Sequence, residues 1–74
     1  MFGITREEVE ELRTEYVGKT VEVTINDPYR WFHGIGKVDH VDDAGNIHGL
    51  WIDADGESCS LSVIIGEDSI KIIE

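Results

Sequence analysis

The sequence predicts a mostly β domain with one N-terminal α-helix, arranged as a small five-stranded barrel of the Src-homology-3-like type. Three observations carry that expectation. A capped stretch of helical periodicity occupies residues 5–17. Short alternating runs of β-branched residues follow it. Turn-forming residues separate those runs, with one long loop after the first. The 74 residues suffice for one domain, 1–74, with the barrel at 19–73.

Thr5 and Glu8 form an S/T-x-x-E capping box, in which each side chain bonds the other residue's backbone N–H. Ile4 and Val9 suit a hydrophobic staple across that cap. Val9, Leu12 and Tyr16 recur at helical spacing as one narrow apolar stripe. Gly18 stops the helix. The stripe should lay the helix on the barrel as a lid. Thr20 to Ile25 then alternates, with Val21, Val23 and Ile25 inward. Asn26-Asp27-Pro28-Tyr29 breaks this strand as a turn and opens a long loop, and the second strand is expected near Ile35–Val41. Asp42-Asp43-Ala44-Gly45-Asn46 suits a three-residue hairpin loop with Gly45 left-handed. That register sets Val41 opposite Ile47 and His40 opposite His48.

The loop after the third strand, Ile47–Ile52, is decided by parity. A two-residue Asp55-Gly56 turn would oppose Trp51 to Ser60. A three-residue Ala54-Asp55-Gly56 loop opposes Trp51 to Cys59 and Ile47 to Val63. A one-residue slip turns every side chain to the other face, so apolar matching selects the second register. The core face is then Ile47, Trp51, Cys59, Leu61 and Val63. Gly66 marks a turn, and Ile70 and Ile72 supply the last strand. An oligonucleotide-binding-type barrel is the rival, but it usually needs longer strands.

Sixteen Asp and Glu face six Lys and Arg, a formal net charge of −10. From Val38 to Ile70 there is no Lys or Arg, against eight acids. Such a field repels nucleic acid and anionic membranes and attracts basic protein surfaces. A single cysteine, Cys59, excludes an internal disulfide. Residues Met1 to Arg13 lack a signal-peptide pattern, and no apolar run approaches the roughly 20 residues of a membrane span. The expectation is a soluble, cytoplasmic protein.

The runs Asp27-Pro28-Tyr29, Gly34-x-Gly36-x-Val38, Val41-Asp42-Asp43-x-Gly45-x-Ile47-His48-x-x-Trp51, Ser60-Leu61 and Gly66-x-Asp68-Ser69 carry a resemblance. The chain resembles, over residues 19–73, a family of small domains of unknown function from Gram-positive bacteria, their phages and prophages. The resemblance implies a small barrel of mobile-element origin and transfers no catalytic residue. Two features depart from the family pattern: Arg30-Trp31-Phe32-His33 where prolines are usual, and the acidic N-terminal helix.

Tyr29, Trp31 and Phe32 lie within four residues, between the turn and a glycine hinge at Gly34 and Gly36. Exposed, they would anchor a partner, because Trp and Tyr dominate interface hot spots. Asp42, Asp43, Asp53, Asp55 and Glu57 sit on hairpin tips, where carboxylates could mimic spaced phosphates; Asp is also an ordinary turn former. Asp53-x-Asp55-Gly56 lacks both end ligands of a calcium loop. His40 and His48, as cross-strand neighbours, could share a zinc ion with His33 or a carboxylate, with Cys59 on the opposite face. No nucleophile elbow, phosphate-cradling loop or dinucleotide fingerprint occurs, so no enzyme and no catalytic residue is expected.

The expected function is therefore a non-enzymatic, acidic protein-binding module. In its sharpest form it is a phage or prophage inhibitor of a basic, nucleic-acid-handling host protein, competing with DNA or RNA as an anti-CRISPR protein would at an RNA-guided CRISPR nuclease. The alternative is a zinc-stabilised structural or virion accessory module. Direct nucleic-acid binding is opposed by the charge.

Overall fold

A computed structural model describes residues 4–74; residues 1–3 of the expected domain lie outside the described residues. Helix α1 spans Arg6–Tyr16, followed by β1 (Thr20–Asp27), β2 (Arg30–Val41), β3 (Ile47–Ile52), β4 (Ser58–Cys59) and β5 (Ser69–Ile72). The strands form one antiparallel sheet in the order β4-β3-β2-β1-β5. The mostly β class with one N-terminal helix is as the sequence predicts.

Thr5 caps α1 through the full capping box: its hydroxyl accepts from the Glu8 N–H, and Glu8 accepts from the Thr5 N–H. Val9 is buried, and Leu12 and Tyr16 pack on the core, so the apolar stripe does set the helix on the sheet. Arg13 adds a polar tie, donating from Nε to the Val41 carbonyl at 3.0 Å. The expected pairings hold at both turns, although the β2–β3 register shifts by one residue between Val38 and His40. Val41 opposes Ile47, His40 opposes His48, and Trp51 opposes Cys59, with an isolated bridge from Ile47 to Val63. Gly45 has φ +85°, the left-handed conformation its loop requires, and Ile4 packs against the space a Cβ would fill.

The core comprises Val9, Val21, Val23, Ile25, Phe32, Val38, Val41, Ile47, Trp51, Cys59 and Val63. Trp51 is its largest fully buried side chain. Its indole N–H donates to the Leu61 carbonyl at 2.8 Å, which satisfies the one polar atom the ring buries. The ring lies against Gly36, where an added Cβ would stand 2.0 Å from the Leu50 carbonyl oxygen.

Four expectations are corrected. The sheet is not closed into a barrel: β4 adds only two residues, the ladder then lapses until Val63, and β4 and β5 remain edges. There is no long loop after β1. Pro28 and Tyr29 make a two-residue turn, and β2 starts at Arg30 rather than near Ile35. Gly34 and Gly36 are consequently strand residues, not a hinge. Leu61 is 41% exposed and outside the core, because it lies in the unpaired stretch between Cys59 and Val63.

Candidate functional site

Alternation along β2 sorts the predicted aromatic anchors. Phe32 opposes Ile25 on the inner face and is 4% exposed, so it is a core residue and not an anchor. Trp31, one residue earlier, faces outward at 64% exposure. Tyr29 projects from the turn at 96%. A one-residue phase difference thus divides neighbouring rings between core and surface.

The outer face of the sheet carries a patch that sequence reasoning missed. Ile35 opposes Ile52 across β2 and β3, and Leu50 lies two residues from Ile52 on the same face. All three are exposed. Alternation from Trp51 puts Leu50 and Ile52 outward, but Ile35 reaches that face only because the β2–β3 register shifts between Val38 and His40, which no turn signal in the sequence marks. A groove of about 460 Å³ opens at the Trp31 end of this patch, walled by Ile35, Ile52 and the Asp53-Ala54-Asp55 loop.

The acidic tips do not form one surface. The loops holding Asp42-Asp43 and Asp53-x-Asp55-x-Glu57 lie at opposite ends of β3, about 20 Å apart at strand rise. Their carboxylates also differ in occupation. Asp42 Oδ1 accepts from the backbone N–H of Ala44 and Asn46, and its Oδ2 faces His48 Nε2 at 2.8 Å. The His48 bond first, then the Asn46 N–H, pushes its pKa down to about 2. Asp53 Oδ1 likewise accepts from the N–H of Asp55 and Glu57. Asp43 pairs with Arg13 at 3.0 Å. Asp55 and Glu57 are exposed, with no salt bridge among the described residues. Asp68 also has a structural role: it accepts from the N–H of Asn26 and of Ile64, tying β1 to the segment before β5.

His40 and His48 are cross-strand neighbours whose rings stack, centroids 4.5 Å apart and planes within 4°. Imidazole lone pairs lie in the ring plane, so parallel stacked rings direct them side by side rather than at one ion. Each ring also faces a carboxylate, Asp39 at 2.7 Å and Asp42 at 2.8 Å. Among the described residues, no three His, Cys, Asp or Glu are grouped to hold a metal, and His33 and Cys59 do not join the pair. His33 instead bonds Glu22 at 2.9 Å and touches the Thr24 hydroxyl at 3.5 Å. That carboxylate–imidazole–hydroxyl chain lies on the open outer face, where water screens it.

Among the described residues, no helix is long and apolar enough to cross a membrane. A family model, Domain of unknown function (DUF4314), matches residues 5–73. No curated protein and no solved structure matches the chain.

Proposed function

We propose that this chain, which belongs to the DUF4314 family of domains of unknown function, is a non-enzymatic module that binds a basic protein through its outer sheet face. One observation carries the reading: the exposed Trp31, Ile35 and Ile52 adjoin Asp53-Ala54-Asp55 of the acidic tip around a single groove. An exposed Trp beside aliphatic side chains is the make-up of an interface anchor. Unpaired carboxylates at its rim, on a chain of net charge −10, select a partner surface rich in Lys and Arg.

The finer proposal is a mobile-element inhibitor that competes with DNA or RNA for a nucleic-acid-handling host protein. Net charge and small size support it. Mimicry of phosphates would rest on the Asp55–Glu57 tip, since Asp42 and Asp53 are engaged within their own turns.

Affinity capture tests both levels. The immobilised full chain, Trp31→Ala, and the double reversal Asp55→Lys/Glu57→Lys are each challenged with Gram-positive lysate. The expected result is retention of basic proteins that falls with salt, is displaced by added DNA or RNA, and is lost in both variants. Retention untouched by charge reversal would refute the reading. Retention that nucleic acid does not displace would refute its finer form.

A further inference from the structure

Strand β2 is twelve residues long and β3 only six. β1 pairs with β2 from Arg30 to Lys37, whereas β3 joins β2 only from Ile35 onward. Residues Arg30–Gly34 therefore have a neighbouring strand on one side alone.

Hydrogen-bond phase identifies the free backbone groups. In a two-residue hairpin the residues flanking the turn, Asp27 and Arg30, exchange both bonds. Arg30, Phe32, Gly34 and Gly36 then turn their N–H and C=O groups toward β1, and Trp31, His33, Ile35 and Lys37 turn theirs the other way. Two contacts fit this phase. Asn26, turned away from β2, donates its N–H to Asp68 at 2.8 Å. Asp53, turned away from β2 at the end of β3, donates to the Glu57 carbonyl at 2.9 Å. Ile35 and Lys37 meet Ile52 and Leu50, but Trp31 and His33 meet no strand. Among the described residues, no loop or side chain bonds the Trp31 or His33 backbone N–H.

The other sheet edges are guarded in familiar ways. β4 is two residues long, and β5 carries Lys71 in mid-strand. The Trp31–Gly34 edge has neither a lysine nor a proline, and the groove of about 460 Å³ lies beside it.

We infer that this edge receives an extended segment of the basic partner as an added strand, paired to the backbone of Trp31 and His33. The inference rests on the function proposed above and names the element that docks. Alternate side chains of the segment would lie on Trp31, Ile35 and Ile52, while a Lys or Arg reaches the Asp55 carboxylate. Charge selects this occupant over a second copy, since two chains of net charge −10 repel.

The test titrates the full, nitrogen-15-labelled chain with a peptide of alternating lysine and valine, and with the same peptide N-methylated along its backbone. N-methylation keeps charge and side chains but removes the strand's donors. The expected result is a shift of the Trp31 and His33 amide resonances, slower hydrogen exchange at both, and about tenfold weaker binding of the methylated peptide. Equal affinity for the two peptides, or binding that leaves both amides unmoved, would overturn strand addition and leave the acidic binding module standing. Failure of both peptides to bind would also overturn it. Concentration-dependent shifts of the same amides without peptide would assign the edge to a second copy instead. The broader proposal falls only if capture by the full chain survives charge reversal or Trp31→Ala.

Discussion

Replacing Asp42 by alanine removes three hydrogen bonds from one tight turn, to the N–H of Ala44, the N–H of Asn46 and the His48 ring. The His48 bond and the turn amides hold the Asp42 carboxyl at about 2, below its ordinary 3.8. That gap of about 1.8 pH units corresponds to at most about 2.4 kcal/mol. The side chain is 35% exposed, and solvent screening reduces the expected contribution to about 1 kcal/mol. The unfolded chain holds the proton more tightly, so it binds more protons between the two values and stability rises with pH there. The contribution is complete above about 3.8 and is lost as pH falls through about 2. In urea melts, Asp42→Ala should lose about 1 kcal/mol at pH 7, or roughly 4–8 °C in Tm for a domain of this size. The gap to the parent should close as pH drops from 4.5 to about 2. Asp42→Asn keeps one acceptor oxygen and should fall between the two. A parent–alanine gap that is absent at pH 7, or that stays constant as pH drops, would refute the assignment of Asp42 as the charged organiser of this turn.

Four further outcomes are expected. Gly36→Ala, whose Cβ would stand 2.0 Å from the Leu50 oxygen, should cost about 3 kcal/mol or more and broaden the amide spectrum; Gly45→Ala, strained at φ +85° and set against Ile4, should cost about 1–2 kcal/mol, both read by urea melts. Trp51→Phe removes buried ring volume and leaves the Leu61 carbonyl without its indole donor, so it should cost about 2–3 kcal/mol by calorimetry. Trp31→Ala should change stability by less than about 0.5 kcal/mol while abolishing partner capture, since the ring is 64% exposed.

Much of the fold was legible because it depends on neighbours in the chain. The Thr5–Glu8 box, the left-handed Gly45 and the stripe through Val9 are local chemistry, and the structure reproduces each. The His40–His48 pairing was legible from the Gly45 turn, and the Trp51–Cys59 pairing because an open choice of loop length collapses once apolar residues must share a face. The site was less legible. Asn26 to Tyr29 reads as a turn from composition, but whether it joins two strands directly or opens a loop depends on where the next strand begins. That choice moved Phe32 into the core and left Trp31 outside.

The sequence by itself determined the helix and its cap, the inward phase of β1, the pairings beside the two later hairpin turns and the acidic character, since these depend on residue type and short-range geometry. Only the tertiary structure decided that the sheet stays open, that the acidic tips stand at opposite ends of β3, and that β2 outruns β3 to leave the Trp31–His33 edge bare. Those features depend on the relative lengths of strands paired across distant parts of the chain, and no local preference encodes a difference in length.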